Sequence, residues 1–579
     1  MDKRLKLFSV LLTFLTVVVI ARLFYWQVIK AEGLKSQGEK QHFETIEIPS
    51  KRGEIRSSDG FPLATNQRSF LVYAYLPQLR QSPQEVADLL SPILGPLLEK
   101  HEASPSSQST SRGPAIDAKD VILKLLTRKD VVWTPLVRNA SERQKEEVKK
   151  LNLEGIGFNE VPVREYPEAS MSASLLGFVG SDTEGNPKGY FGLEGLYDLE
   201  LKGRPGVIRH EKDAHGRPIL VGRFDEIDAK DGRSLVLFLD RSIQRIVEKR
   251  LEEGLRKYGA RNGEVVILDP RTGAVIAMAA LPSYDPAHFG DFDPYLYKNP
   301  IVSEAYEPGS TFKVLTMAAA LDARAVTPET ICETCGGPIQ IGGYTIRTWN
   351  DVYYPNSTMT EVIVHSDNTG MVFAVRKLGL DTLYEYLVRF GIGEKTGIDL
   401  EEESKVELRQ KKEWKEIDLA TASFGQGIAV TGIQMARIVA TIANGGVMLK
   451  PQVVHKVEGE VELELKPKPG KRVLSNETAR LLTEMMVTAV EKGEAKWAKP
   501  DGYRIAGKTG TAQIPVAGHY DEDKTIVSFV GFAPSENPVF AMLVKLREPQ
   551  SSPWGSETAA PLWFAIAKDL FYYYGIQPE

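Results

Sequence analysis

The amino-acid sequence predicts an α+β protein with a membrane helix at its N-terminus. A long apolar run lies within the first thirty residues, and the region 226–579 has predicted strands at both ends and a mainly helical middle. Strands from two such ends can pair into one antiparallel sheet flanked by helices, with an all-α lobe beside it. We therefore expect a cytoplasmic tip and transmembrane anchor over residues 1–30, a second domain over 31–225 and a larger domain over 226–579.

Length and composition allow several folded domains. The chain has 579 residues, of which 42% are hydrophobic, and its formal net charge is −6. This length exceeds that of a usual single domain, and the chain lacks the basic excess that nucleic-acid-binding proteins show. The eight histidines have no spacing typical of metal ligands. We expect no nucleic-acid partner and no metal site.

The first thirty residues predict one uncleaved membrane span. The stretch 7–29 is mostly apolar and is long enough to cross a bilayer, which needs about 20 residues. Arg22 can extend its side chain toward the far interface, where Tyr25 and Trp26 would form an aromatic belt. Basic residues before the span place the N-terminus in the cytoplasm and the remaining chain outside. The alternative is a cleaved signal peptide, but no small-x-small site follows promptly.

The second domain contains no convincing catalytic cluster. Short predicted strands and glycine turns accompany helices predicted at 83–99 and 142–151, and a Ser-rich stretch at 104–111 is predicted to be a flexible loop. We interpret the charged residues of this domain as solvated faces and strand-pairing charges. The domain is then an elongated, mostly-β or mixed pedestal for interactions.

The larger domain is predicted to begin and end with strands. Asp240 is a predicted helix cap, and a five-residue turn separates the two strands of a hairpin. In chain order, the predicted elements are a strand (234–239), a helix (241–255), the two hairpin strands (264–268 and 274–280), two helices (380–390 and 433–444), two strands (525–532 and 539–546) and a final helix (560–573).

A serine and a lysine three residues apart open an apolar helical run in this domain. Pro308 and Gly309 break the preceding extended segment, so Ser310 should lie in the first turn, with Lys313 on the same face. The lysine amine could take the proton of the hydroxyl, and the positive helix end favours developing negative charge. Alone, this S-x-x-K pattern is weak, because most matches are an exposed serine and an exposed lysine.

Two further patterns strengthen this interpretation. Residues 366–368 read S-D-N, and residues 508–511 read K-T-G-T. Taken individually, S-D-N is typical of a turn or helix cap, and K-T-G of a turn that enters a strand. S-x-x-K, S-D-N and K-T-G in this order indicate a serine acyltransferase that reacts with penicillin.

The chain resembles the class B penicillin-binding proteins, and among them the division-specific (FtsI-type) peptidoglycan D,D-transpeptidases. This resemblance extends over nearly the whole length, including the anchor. Two departures exist: Asp367 stands where the division family often has Ser, and the Ser-rich stretch is not a family hallmark. Besides the three motifs, the segments that carry the resemblance lie at 52–55, 164–167, 192–197, 425–427 and 528–534. The last of these favours the division type over the elongation type.

The resemblance implies a role for each catalytic residue. Ser310 would attack a D-alanyl-D-alanine peptide bond, release the terminal D-alanine and form an acyl-enzyme. Lys313 would be the base, provided that burial and the nearby Lys508 cation lower its pKa. Ser366 would relay a proton to the departing amine, and Asn368 would hold the substrate's amide.

Substrate contacts are implied for the K-T-G segment. Lys508 and Thr509 would bind the terminal carboxylate, and Gly510 would leave room for the substrate beside the strand. The backbone N–H groups of Ser310 and Thr511 would form the oxyanion hole. The expected ligands are peptidoglycan stem peptides and β-lactam antibiotics, and the resemblance implies no metal or organic cofactor. The expected protein partners are an FtsW-type glycan polymerase, which would contact the anchor and pedestal, and other division proteins.

Three alternatives remain beside a division transpeptidase. An elongation-type transpeptidase would use the same residues. A β-lactam hydrolase or antibiotic-sensing receptor is disfavoured by the large pedestal and by the missing deacylation motif. A hydrolase would need a glutamate that activates water, but we interpret the acidic residues at 401–403 as a solvated edge. A non-enzymatic division scaffold is disfavoured because the motif residues are intact. Cys332 and Cys335 form either a small disulfide loop or two reduced thiols, and the sequence leaves both open.

Overall fold

The computed structural model describes residues 3–102, 117–129, 131–211, 219, 224–516 and 519–579. The loop predicted at 104–111 lies outside them. The chain divides into two compact units: Met1–Lys51 with Lys202–Gly232, and Arg52–Leu201 with Arg233–Glu579.

The first unit contains the N-terminal helix and a small antiparallel sheet. An α-helix over Lys3–Phe24 continues as a short π-helix over Tyr25–Ile29. Among the described residues, this is the one helix that is long and apolar enough to cross a membrane. The Arg22 guanidinium lies 5.9 Å from the centre of the Trp26 ring, near the predicted aromatic belt. A helix and three strands complete the unit: Ala31–His42, Phe43–Ile48, Gly206–Glu211 and Phe224–Ile227.

In the second unit, a seven-stranded sheet combines strands from both sides of residue 226. The predicted strand at 234–239 is observed as Ser234–Leu237, which pairs parallel with Ile55–Arg56 and antiparallel with Val454–Glu458. The other strands are Leu463–Glu464, Pro62–Tyr75, Trp133–Ala140 and Ile156–Glu165. Helices Pro83–Glu102, Ala118–Leu126 and Glu142–Lys150 lie in the same part of the chain, close to the two predictions made there.

A second sheet, the central sheet, is built from the two ends of the larger domain. Its five antiparallel strands are, in order, Val275–Leu281, Asn262–Leu268, Phe540–Arg547, His519–Ala533 and Ala506–Val516. Helices Arg241–Tyr258 and Ala559–Tyr574 pack against it and share a hydrophobic core with it. The Asp240 carboxylate caps the first helix by accepting hydrogen bonds from two backbone N–H groups. The α+β prediction, with one sheet from both ends, is confirmed.

The helical lobe surrounds one deeply buried helix, Lys313–Asp322, which we call the S-x-x-K helix. Every residue from Lys313 to Leu321 is buried, so packing on all sides fixes its position. The other lobe helices are Met359–Val364, Asn368–Leu378, Leu380–Arg389, Glu416–Ala422, Gly432–Ala443 and Asn476–Lys492.

The chain also has short strand pairs: Phe178–Ser181 with Pro187–Tyr190, Ala305–Tyr306 with Val430–Thr431, and Ile339–Ile341 with Tyr344–Ile346. Cys332 and Cys335 are joined by a disulfide and are fully buried.

The pedestal contains a buried charge network, which the sequence analysis interpreted wrongly as solvated or strand-pairing charge. The fully buried Glu194 carboxylate accepts hydrogen bonds from Nε of Arg52 and Nε of Arg164, each at 2.7 Å. Arg52 also pairs with Asp198 at 2.7 Å. The partners come from three segments far apart in sequence, so their burial follows from tertiary packing and has no local sequence signal.

The predicted solvated edge at 401–403 is wrong for two of its three residues. Glu403 is buried and accepts hydrogen bonds from the backbone N–H groups of Thr396 and Gly397, at 2.5 and 2.9 Å. Glu402 is half-buried and accepts a hydrogen bond from the Gly192 N–H at 2.5 Å. Buried backbone donors need acceptors, and here carboxylates provide them.

Substitution Glu194→Ala tests the buried network. Removal of this carboxylate leaves two buried guanidinium groups without their shared anion, which costs about 3–5 kcal/mol of unfolding free energy. Chemical denaturation of the full chain in detergent measures the loss. The control is Glu200→Ala, because the partly exposed Arg233–Glu200 pair contributes at most about 1 kcal/mol. Equal losses in the two variants would contradict a special role for the buried carboxylate.

Candidate active site

Ser310 lies in the first turn of the predicted helix, as expected. It belongs to a 3-10 helix, Gly309–Phe312, which we call the catalytic turn and which runs directly into the S-x-x-K helix. Gly309 has a φ of 55°, and a Cβ there would lie 2.7 Å from the carbonyl oxygen of Thr511. Its N–H donates to the carbonyl of Gly425 at 3.1 Å. Glycine at 309 therefore lets the turn fit between the K-T-G strand (Ala506–Val516) and the G-Q-G segment.

The amine of Lys313 is fully buried and contacts the S-D-N segment. Its Nζ donates to the backbone carbonyl of Ser366 at 2.5 Å and to Oδ1 of Asn368 at 2.8 Å, and it lies 3.3 Å from Oγ of Ser366. The Ser310 hydroxyl is not among its hydrogen-bond partners in the described chain. A neutral amine has two N–H donors, which the two carbonyl oxygens accept, so its lone pair stays available for a proton.

Burial and a neighbouring cation change the acidity of both lysines. Burial, followed by the charge of Lys508, lowers the pKa of Lys313 well below its usual value, although Asp367 and Glu494 oppose this effect. Burial lowers the pKa of Lys508 to about 8, against the opposing charge of Glu494. At neutral pH the Lys508 amine is therefore mainly cationic, and the Lys313 amine holds its proton less tightly than an ordinary lysine does.

Ser366 connects the two lysines. Its Oγ lies 3.3 Å from Nζ of Lys313 and 3.0 Å from Nζ of Lys508. Its φ of 54° is in the left-handed region, which serine seldom adopts. Such strained residues persist where the surrounding structure holds them. Here Ser366 lies between two helices, and both its carbonyl and its hydroxyl reach the Lys313 amine.

The other two residues of the S-D-N segment fix its geometry. The Asp367 carboxylate accepts hydrogen bonds from the N–H groups of Thr369 and Gly370, at 2.7 and 3.2 Å, and so caps the helix Asn368–Leu378. Nδ2 of Asn368 donates to the backbone carbonyl of Arg347 at 2.9 Å, which turns Oδ1 toward Lys313. The interpretation of S-D-N as a helix cap is confirmed, and the cap itself orients the amide.

The K-T-G segment lies inside a strand and not in the predicted turn before it. Residues 508–511 pair in register with 527–530. A Cβ at Gly510 would point into the protein, 2.7 Å from Oγ of Ser528 and 2.7 Å from Cγ2 of Thr311. The expected reason for this glycine, room for the substrate, is therefore wrong. Glycine is needed here because the strand packs closely against the catalytic turn.

A cavity of about 340 Å³ opens beside these groups. Five predicted site residues line it: Ser310, Ser366, Asn368, Thr509 and Thr511. Lys313, Lys508 and Gly510 lie behind its described wall. Prominent lining residues that the sequence analysis missed are Arg347, Trp349, Glu494 and Trp554. They come from three separate loops without a local pattern, since Arg347 and Trp349 share one loop. Gln426, also in the wall, belongs to the G-Q-G segment that carried the resemblance.

Two tryptophans form part of the cavity rim. The rings of Trp349 and Trp554 meet edge to face with their centres 4.8 Å apart. Trp349 comes from the loop before the helix Met359–Val364, and Trp554 from the loop before the last helix.

Neither the half-buried Glu402 nor the buried Glu403 is part of the described lining. The wall thus joins a serine hydroxyl, an oriented amide and several further hydroxyl groups next to two buried amines, which suits acyl transfer.

Comparisons with known proteins agree with this geometry. Residues 263–571 match the family described as Penicillin binding protein transpeptidase domain, and residues 47–237 match the Penicillin-binding Protein dimerisation domain. Stage V sporulation protein D of Bacillus subtilis is 32% identical over 97% of this chain and 84% of its own length. Peptidoglycan D,D-transpeptidase FtsI of Escherichia coli K12 is 29% identical over 97% of this chain and 90% of its own. A crystal structure of a peptidoglycan synthetase from Bifidobacterium adolescentis has a TM-score of 0.72 at 25% identity, covering 93% and 98% of the two chains.

The lowered pKa of Lys508 predicts an alkaline limit to acylation. Its cation is lost as the pH rises through about 8, so attraction for an anionic ligand should be lost over the same range. We expect the acylation rate with a fluorescent penicillin to fall with an apparent pKa near 8, and this fall to move to higher pH in Lys508→Arg, because guanidinium stays protonated. The exposed control Lys496→Arg should keep the parental profile. An unchanged alkaline limb in Lys508→Arg would disprove the assignment.

Proposed function

The chain belongs to the class B penicillin-binding proteins, and from this membership we propose that Ser310 is the nucleophile of its reaction. The protein is a serine-type peptidoglycan D,D-transpeptidase that cross-links cell-wall peptides and is inhibited by β-lactams. One observation carries the residue assignment: the buried Lys313 amine contacts the S-D-N segment next to the cavity that Ser310 lines.

In the proposed acylation step, the Ser310 hydroxyl attacks the carbonyl carbon of the D-alanyl-D-alanine peptide bond. Lys313 accepts the hydroxyl proton on its free lone pair. Catalytic hydrogen bonds often shorten only when substrate binds, so direct transfer from the hydroxyl is compatible with the geometry. The C–N bond then breaks, and Ser366, in contact with both amines, passes a proton to the departing D-alanine.

Other groups of the cavity hold the substrate in this proposal. Thr509 and the cation of Lys508 bind the terminal carboxylate, with Lys508 acting from behind the wall. The oriented amide of Asn368 binds the peptide. The backbone N–H groups of Ser310 and Thr511 stabilise the oxyanion, where loss of one donor typically costs about 3–4 kcal/mol. In the second half-reaction, an amine of another stem peptide attacks the acyl-enzyme and forms the cross-link.

Among the described residues, one helix is long and apolar enough to cross a membrane, and we propose that the protein is a single-pass membrane protein. We propose that its N-terminus is cytoplasmic, that the catalytic part lies outside the plasma or inner membrane, and that it acts in septal wall synthesis with an FtsW-type polymerase and other division proteins. The basic residues before the span support this orientation. The resemblance of 528–534 to the division type supports a septal role.

Penicillin labelling tests the nucleophile. The full-length protein should form a stable adduct with a fluorescent penicillin, and Ser310→Ala should form none, because the covalent bond requires the hydroxyl. The control Ser303→Ala removes a hydroxyl that donates only to the Asn299 carbonyl, and its labelling should be retained. Rapid release of the label from the parent would favour a β-lactam hydrolase. Labelling of Ser310→Ala would disprove the assignment.

Localisation of a fluorescently tagged full chain tests the septal role. A division transpeptidase should concentrate at the division site of growing cells and leave it when septation is blocked. An even distribution along the lateral wall would instead support the elongation-type alternative. Microscopy with a membrane dye distinguishes the two patterns.

A further inference from the structure

Glu494 faces the catalytic cavity from the segment that follows the helix Asn476–Lys492. It is exposed, and among the described lining residues it is the only acidic side chain, while Arg347 is the only basic one. Glu494 also lines a small second cavity together with Lys508 and Thr509. Its side chain therefore lies where the open cavity meets the buried lysine.

The surroundings of Glu494 are mostly cationic or able to donate hydrogen bonds. Lys508, Lys313, the Trp349 side chain and His365 each favour its anionic form, whereas partial loss of water raises its pKa above the usual value. The negative charge of Glu494 raises the pKa values of Lys313 and Lys508, and so acts against the effect of their burial. The result is an anion that accepts a proton more readily than a fully solvated carboxylate does.

The second half-reaction requires a group that binds the acceptor amine and removes a proton from it, and the residues assigned so far do not provide one. The acceptor is an amine, and an ordinary side-chain amine, with a pKa near 10.4, enters as an ammonium ion. Neither the cation of Lys508 nor that of Arg347 attracts an ammonium group. The ammonium must also lose a proton before its nitrogen can attack the Ser310 ester.

We propose that Glu494 binds the ammonium group of the acceptor stem peptide and takes one of its protons before attack. This inference rests on the proposed role of Ser310 as the acylated residue. Departure of the first D-alanine vacates the position next to Lys508, so the acceptor can enter the cavity there. Glu494 lies beside that position and supplies the anion.

The proton and bond balance of this step is simple. One ammonium proton moves to the Glu494 carboxylate, and the neutral nitrogen forms a bond with the acyl carbon. The bond between that carbon and Oγ of Ser310 breaks. A second proton of the nitrogen passes to Oγ through Lys313, and Glu494 releases its proton to water.

Partitioning of a single acyl-enzyme tests the proposal with full-length protein in detergent. A thioester donor ending in D-alanine acylates the enzyme, and the products of amine transfer and of hydrolysis are measured together. The acceptors are Nα-acetyl-lysinamide, a cation at neutral pH, and hydroxylamine, which is uncharged there. In Glu494→Gln, transfer to the lysine amine relative to hydrolysis should fall about tenfold, as expected for one charge-assisted hydrogen bond. Transfer to hydroxylamine should change less than twofold.

Controls separate this inference from the function on which it rests. Glu491→Gln removes an exposed charge three residues away, outside the described cavity lining, and its partition should stay parental. Equal losses with both acceptors, or no loss with either, would overturn the role of Glu494. A loss of hydrolysis alone would also overturn it, by assigning Glu494 to water activation. Absence of penicillin labelling in the parent would instead refute the proposed function.

Discussion

The contact between the buried amine of Lys313 and the S-D-N segment is the interaction on which the rest of the site depends. Three elements must be correctly placed for it: the S-x-x-K helix, the left-handed Ser366 and the capped helix that begins at Asn368. The burial that creates the contact also lowers the pKa of the amine. Geometry and proton affinity therefore have a common cause, and a change that exposes this amine would disturb both.

Close backbone packing provides the second constraint. Gly309 and Gly510 lie where the catalytic turn meets the K-T-G strand, and a Cβ at either position would be within 2.7 Å of a neighbouring atom. Gly425 approaches the same turn from the other side, where a Cβ would lie 2.2 Å from the Gly309 carbonyl oxygen. Three segments from distant parts of the chain thus touch through glycines. This arrangement holds Ser310 at the cavity wall without using its side chain.

Charge is used differently in the pedestal and in the cavity. In the pedestal, Glu194 is enclosed and its oxygens are bound by two arginines, an arrangement that fixes structure. In the cavity, Glu494 is open to solvent beside a lysine whose pKa is about 8. A carboxylate that binds an incoming peptide during a reaction needs this access, because a fully enclosed carboxylate cannot contact a second peptide.

The predicted domain boundary near residue 225 remains a prediction.

The sequence by itself determined the features that have local causes. The apolar run predicts the anchor, Asp240 predicts a helix cap, a five-residue turn between two apolar runs predicts the hairpin, and the order of the three motifs predicts the acyltransferase chemistry. Only the tertiary structure decided which charges are buried, why Gly510 is a glycine and which side chains complete the cavity. The reason is physical: burial, pKa and close approach are set by segments far apart in the chain. A local pattern carries no information about what will be packed against it.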